Sequence, residues 1–355
     1  MGSTRVGVIG GMGNEAMVDL IEKINGSISA SDSIELVAFG NSRLAYKAEE
    51  VGQQWQPTDT PELRKYATAT YTLRLMQYLD VKVMGLACNS AHELFRTILP
   101  QIPVHFVDMI KQTAASLEGS EDTILVMGVN SLVDSGLYQS ALAEQGQGVK
   151  STKPSPENQQ KVMDAIYHPE FGIKTAKITP QAEQLLCEVI CDELAKQGCT
   201  KIVLGCTELP LALTAESCLR FKQQGLLPPE ITVIDASMVL AQSLISTLGD
   251  ASSLIEPLQS YQQPYLDWIA PLAVSVSSLE QLASIQKQIF AQTTSYLAKN
   301  NKSLTGSYMH LPTLFFTDNA KGVADKLRAI DIEVIDGDDL TAADIEQALQ
   351  RHLAE

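Results

Sequence analysis

The sequence predicts an α/β protein: two similar parallel-sheet domains related by a pseudo-twofold, plus a small C-terminal α/β appendage. Three observations point there. The chain opens as strand, glycine turn and helix (Val6-Gly7-Val8-Ile9, Gly10-Gly11-Met12-Gly13, Ala16 to Ile24) and restarts at Thr123-Ile124-Leu125-Val126-Met127-Gly128. Two apolar runs of one design, Val83 to Ala87 and Ile202 to Gly205, each deliver a cysteine, Cys88 and Cys206, followed by small polar residues at a helix entrance. Each is followed by a short strand closing on an aspartate, Val104-His105-Phe106-Val107-Asp108 and Thr232-Val233-Ile234-Asp235, so the halves match in order. The boundaries that follow are 1–115, with the segment after 210 able to return to it, 120–248, and 250–355.

Element by element, the first helix leads to a strand over Ile34 to Phe39, which ends at Gly40-Asn41-Ser42-Arg43. Arg43 thus sits beyond the carboxyl end of a strand, where open α/β sheets meet their ligands. Tyr46 to Gln54, with Trp55 and Pro57, reads as a lid-like helix and loop, and Thr60 to Leu79 as a long helix feeding the first cysteine strand. A helix to Leu99 follows, then the strand ending at Asp108, which suits a cap for Met109 to Leu117 and is alternatively a substrate residue. In the second half, Asn130-Ser131 and Ser135-Gly136-Leu137-Tyr138 read as a loop before a helix ending near Glu144; Val149 to Pro156 is turn-rich and Glu157 to Ile166 helical. His168 to Lys174 is a loop, and Pro180 opens a helix to Lys196 that feeds the second cysteine strand. Ala236 to Leu248 is helical, and beyond 250 two strands, Leu314 to Ala320 and Ile332 to Asp339, flank a helix before a final helix from Ala342 to Leu353.

With 355 residues and 45% hydrophobic composition the chain can bury a sizeable core. A formal charge of -16 repels nucleic acid and anionic membranes, so neither is an expected partner; a small anionic substrate can still meet a local cation. Six cysteines are too sparse for a disulfide scaffold and suit a reducing compartment. The polar start Met1-Gly2-Ser3-Thr4 shows no secretory segment, and no apolar run reaches the ~18 residues of a membrane span, so a cytoplasmic location is expected.

The paired cysteines carry the chemistry. Inverting a carbon that bears a weakly acidic hydrogen needs a base on one face and an acid on the other, and two thiols supply both when one is ionised. A free thiol has a pKa of about 8.5, near enough to neutrality for local donors to yield thiolate. Other readings of the same residues are core packing for either cysteine alone, a zinc site from Cys88, His92 and Cys206, and a hydrolase pairing Cys88 with His92. Cys187, Cys191 and Cys199 read as structural thiols, and the glycine turn at 10–13 suits a small carboxylate better than a dinucleotide, because its spacing is not G-x-G-x-x-G.

Gly10-Gly11-Met12-Gly13-Asn14-Glu15, Ala87-Cys88-Asn89-Ser90-Ala91-His92 and Leu204-Gly205-Cys206-Thr207-Glu208-Leu209 together resemble the aspartate/glutamate racemase superfamily, over about residues 5 to 248. The resemblance implies a cofactor-independent isomerase of amino-acid metabolism that racemises an acidic amino acid, aspartate or glutamate, and so forms a D-amino acid, with Cys88 and Cys206 as the two bases. It implies that Met12 lines the pocket, that Asn89, Ser90 and Thr207 hold the substrate carboxylate, and that Arg43 meets the side chain. Lys174 is the second candidate for the side-chain carboxylate, ahead of Lys47 and His168, and Asn130 falls in a family segment near the substrate. No metal or cofactor is implied.

The chain departs from the family at Asn14, where proline is usual, at Ser90, where threonine is usual, and at Val129 and Leu132, which replace threonines. Each lost hydroxyl would cost roughly 1 to 3 kcal/mol if its partner stayed buried, so a drift in specificity is expected. Residues 250–355 exceed the usual family length; packing on the core, bridging a homodimer and covering the cleft are all open to them. Isomerisation or decarboxylation of a small dicarboxylate, and a ligand-binding homologue without turnover, are the remaining alternatives.

Overall fold

The structure is a computed structural model, and it describes residues 4–28, 34–41, 44, 61–102, 104–146, 149–175, 177–248, 272–300, 311–320 and 322–353. Arg43, Lys47 and the expected lid-like segment at 46–57 lie outside them.

The first elements are β1 (Thr4–Gly10), α1 (Asn14–Ser27), β2 (Ile34–Gly40), α2 (Pro61–Tyr78), β3 (Val83–Leu86), α3 (His92–Ile98) and β4 (His105–Val107). Then come α4 (Met109–Ala115), β5 (Thr123–Met127), α5 (Asn130–Ser135), α6 (Leu137–Ala143), β6 (Lys150–Thr152), α7 (Pro156–Tyr167), α8 (Pro180–Gln197) and β7 (Cys199–Leu204). The chain continues through α9 (Leu209–Ala212), α10 (Ala215–Gln223), β8 (Thr232–Asp235) and α11 (Ala236–Thr247). It closes with β9 (Leu272–Val276), α12 (Leu279–Lys299), β10 (Thr313–Thr317), α13 (Val323–Arg328), β11 (Val334–Asp336) and α14 (Ala342–Leu353).

Two compact units form: Met1–Ala87 with Leu94–Val107 and Leu244–Glu355, and Cys88–Glu93 with Asp108–Ser243. The first holds a seven-stranded sheet in the order β11-β9-β10-β2-β1-β3-β4, the second a four-stranded sheet in the order β6-β5-β7-β8. The blocks β2-β1-β3-β4 and β6-β5-β7-β8 repeat one order, all parallel, which is the pattern that matched halves require.

Strand periodicity explains why the second sheet is covered on both faces. Leu125, Met127, Ile202 and Leu204 pack into one apolar cluster with α7, α8 and α10, while Ile124, Val126 and Val203 pack into another with α4 and α6. Successive side chains on a strand point to opposite faces, so near-continuous apolar runs need cover on each.

In the first unit β2 would be an edge strand of its parallel block. The C-terminal strand β10 pairs with it antiparallel, Thr313 opposite Gly40 through Phe316 opposite Val37, and Leu36 N–H donates to Thr317 Oγ1 at 3.0 Å. The strands β9, β10 and β11 therefore continue this sheet, with β10 supplying backbone partners that an edge would leave exposed. Lys326 of α13 ties the same region to the end of α2, with Nζ 2.6 Å from Asp80 Oδ2 and 2.7 Å from Tyr78 O. Beside it Arg5 and Glu35, register partners on β1 and β2, form a buried ion pair at 2.7 Å.

Several local expectations are corrected. The stretch 130–135 is a short helix rather than a loop, and the expected helix ending near Glu144 starts at Leu137. Val133 N–H donates to Val129 O at 3.1 Å, and Gly136 at φ 69 makes the corner between α5 and α6 in a conformation glycine adopts without strain. The turn-rich stretch after 149 contains the edge strand β6, too short to show a period. Asp108 is the helix cap that the sequence suggests, accepting from Lys111 N–H at 3.0 Å. Among the described residues no helix is long and apolar enough to cross a membrane.

Candidate active site

Both cysteines leave their sheets by the same device. Ala87 N–H donates to Ile9 O at 2.8 Å and Gly205 N–H to Met127 O at 2.7 Å, so in each half the residue before the cysteine is pinned to the first strand. Gly205 has no room for a side chain: a Cβ there would lie 2.7 Å from Leu132 Cδ2 and 3.0 Å from Met127 O.

The turn Cys88–Glu93 belongs to the second unit, and so does Cys206. Cys88 Sγ lies 3.5 Å from Ser90 Oγ. Burial pushes its thiol pKa up, while the Ser90 hydroxyl, the Ala91 N–H and Lys174 favour the thiolate and Glu208 opposes it. His92 is fully buried, and both ring nitrogens are engaged by backbone. Nδ1 is 2.8 Å from Cys88 O and Nε2 accepts Met109 N–H at 3.2 Å. A carbonyl can only accept and an amide N–H only donate, so the ring is neutral with its proton on Nδ1. This commitment removes His92 as a base for a Cys88 hydrolase and as a zinc ligand; its role is to brace the cysteine turn against the start of α4.

Cys206 is buried, and its thiol donates to Glu208 Oε2 at 2.9 Å. The other carboxylate oxygen of Glu208 is 2.7 Å from Lys174 Nζ, in an ion pair whose side chains are 4% and 7% exposed. Burial first, and then the Glu208 charge, holds the Cys206 thiol well above its ordinary range, with Lys174 acting the other way. Lys174 comes from the short turn Ile173–Thr175, with its ammonium 5.5 Å over the Tyr167 ring. Thr207 is buried with Oγ1 3.5 Å from Glu208 Oε2.

Asn89 is 2% exposed and takes a hydrogen bond from Tyr138 O–H on its Oδ1 at 2.7 Å. Thus Cys88, Asn89, Ser90, Lys174, Cys206 and Thr207 fall in one unit, and Cys88 and Cys206 sense the same Glu208–Lys174 pair. Asn130 is exposed at the start of α5 and accepts from Gln159 at 2.9 Å. Met12 is buried in the turn after β1, in the first unit, and Arg43 lies outside the described residues. His168 stacks on Phe171 with ring centroids 3.8 Å apart, a loop-stabilising contact. Leu132, where a hydroxyl was expected to be missed, is core: it is fully buried beside Gly128 and Gly205.

Glu208, a polar neighbour of Cys206 in the sequence pattern with no site role of its own there, and Tyr138 are the functional candidates to add. Glu208 had a signal, a carboxylate two residues past a buried cysteine, whereas Tyr138 reads as any core aromatic. Cys187 and Cys199 are also pushed up by burial, to about 12 and about 11, and both are core.

A family model for Asp/Glu/hydantoin racemases matches residues 6–244. The chain belongs to this racemase family. It is 22% identical over 249 residues to the broad specificity amino-acid racemase RacX of Bacillus subtilis, covering 68% of this chain and 97% of that protein. The aspartate racemase of Picrophilus torridus superposes with a TM-score of 0.54 at 24% identity, covering 70% of this chain and 95% of the other. An aspartate racemase homologue from Pyrococcus horikoshii gives 0.52 at 18% identity, over 69% and 99%. These structural likenesses establish that this racemase shares the fold.

Proposed function

We propose that this protein, an amino-acid racemase by family, interconverts the enantiomers of an acidic amino acid, aspartate or glutamate, by two-thiol proton transfer. The observation that carries the reading is that Cys88 and Cys206 lie in the field of one buried Glu208–Lys174 pair. Burial raises both thiols, Cys206 well above its ordinary range with its S–H donated to Glu208, while the Ser90 hydroxyl and the Ala91 N–H partly offset the rise at Cys88, so Cys88 is the thiol assigned to ionise and act as the base. The Cys88 thiolate takes the α-proton, the C–H electron pair delocalises toward the carboxylate, and Cys206 S–H protonates the opposite face. The products are the other enantiomer, a Cys88 thiol and a Cys206 thiolate, which is the arrangement that runs the reverse reaction.

Asn89, Ser90 and Thr207 are the donors for the α-carboxylate, where negative charge builds up in the transition state. Lys174 and Arg43 are the candidates for a side-chain carboxylate, and Met12 and Asn130 retain the roles the family resemblance implies. A wider side-chain range is the second reading, favoured by the neutralisation of Lys174 by Glu208 and by the broad specificity named for the Bacillus subtilis relative.

Incubation with single enantiomers in deuterated water tests both. The expected result is inversion with deuterium at the α-carbon for aspartate or glutamate, and loss of inversion in Cys88→Ser and in Cys206→Ser separately. Inversion of neutral amino acids at comparable rates selects the wider range. Dependence on only one thiol, with turnover of a dicarboxylate instead, selects the isomerase or decarboxylase chemistry, and binding without exchange selects a homologue that has lost turnover.

A further inference from the structure

We infer that Tyr138 is a positioning residue for substrate binding, orienting the Asn89 carboxamide so that its NH2 group is a preset donor to the α-carboxylate. The inference rests on the reading of Asn89 as part of the carboxylate site. Three observations carry it. The Tyr138 O–H donates to Asn89 Oδ1 at 2.7 Å, and both residues are buried, 0% and 2% exposed. The Asn89 Nδ2 atom is buried and has no hydrogen-bond partner among the described residues. Buried amide donors are almost always paired in folded proteins, so an unpaired one beside a half-buried cysteine marks a place for an acceptor. Finally, the Tyr138 ring reaches the other cysteine turn as well: a Cβ on Gly205 would lie 3.3 Å from its Cε2.

The orientation follows from counting protons. A phenol has one proton to give, and the Asn89 carbonyl takes it, which leaves the NH2 group to point away from the tyrosine. Were the amide reversed, its oxygen would face the carboxylate position and repel an anion. Tyr138 therefore selects the donor face of Asn89, and packing selects the position of Tyr138. It is the second residue of α6, starts just past the Gly136 corner, and sits in the apolar cluster with Leu132, Leu142 and Val203. One rigid side chain thereby holds the residue after Cys88 by its hydroxyl and lies against the residue before Cys206 by its ring edge.

The test is a double-mutant cycle on the full chain, reading KM and kcat for the amino acid with the fastest inversion, with Tm for each variant. Tyr138→Phe keeps the ring and is expected to raise KM about tenfold with kcat within about threefold. Asn89→Ala is expected to raise KM further, and adding Tyr138→Phe to it should change nothing. Asn89→Asp, which still accepts from Tyr138 but turns an oxygen to the substrate, is expected to raise KM beyond Asn89→Ala and keeps the proposal testable should Tyr138→Phe fold poorly. Tyr138→Phe with unchanged KM, or effects that multiply fully in the double variant, overturns the positioning role. Wild-type KM in Asn89→Ala removes Asn89 from the carboxylate site and the inference with it, whereas failure of the two-thiol mechanism shows in Cys88→Ser and Cys206→Ser and leaves this cycle readable.

Discussion

Replacing Glu208 by glutamine separates its two jobs. In the wild type one carboxylate oxygen accepts a hydrogen bond from the Cys206 thiol and the other neutralises Lys174 in a pocket where both charged side chains are under a tenth exposed. Glutamine keeps the shape and an acceptor but deletes the charge, leaving a buried ammonium without its counter-ion. Breaking one side of a buried ion pair costs about 3–5 kcal/mol, and for a chain of 355 residues each 1 kcal/mol lowers Tm by roughly 1.3 °C, so a fall of about 4–7 °C is expected. Removing Lys174 as well, as Lys174→Met with Glu208→Gln, should recover much of that loss, because no charge is left stranded. The same substitution removes a force that raises the Cys206 pKa and leaves one that lowers it, so Cys206 should ionise at lower pH than in the wild type. Thermal unfolding of the single and double variants, with the pH dependence of Cys206 alkylation followed by peptide mass spectrometry, reads both effects. A Glu208→Gln protein with wild-type Tm and an unchanged Cys206 alkylation profile would refute the reasoning.

Three further outcomes follow from the same contacts. Cys187 is pushed up to about 12 from an ordinary 9.0, so its burial as a neutral thiol contributes stability that is full below about pH 9 and lost as pH rises toward 12; Cys187→Val should flatten that alkaline decline in Tm. Gly205→Ala places a methyl against Leu132 and the Met127 carbonyl, with an expected cost of about 1–3 kcal/mol in chemical denaturation and a larger fractional loss of turnover, since the clash lies beside Cys206. His92→Phe fills the volume but deletes both backbone bonds, leaving the buried Met109 N–H without an acceptor; about 1–3 kcal/mol of destabilisation and slower exchange at the Cys88 face are expected, and an unchanged denaturation midpoint would argue against the brace.

The two cysteine strands were legible because each is a short apolar run that must be buried on both faces, and because the same order of elements occurs twice. The Asp108 cap was legible for a local reason: a side chain one residue before a helix can reach the first free N–H groups only from that position. The helix at 130–135 was not, because Val129-Asn130-Ser131 carries no strong helical preference and its turns are held by packing of Leu132 and Val133. The strand β6 escaped for want of length.

Local sequence thus determined the α/β class, the doubled cysteine element and the chemistry a pair of thiols can perform, since strand periodicity, glycine turns and thiol acidity act over a few neighbouring residues. Tertiary structure alone decided which charged and polar groups meet those thiols. Lys174 lies 34 positions before Glu208, and Tyr138 lies 49 after Asn89 along the chain, yet each pair is in direct contact. The pairing of β10 with β2, a link between residues some 280 apart, is of the same kind. Contacts of that span depend on how whole elements pack, and no local pattern encodes which distant side chain will arrive beside Cys88 or Cys206.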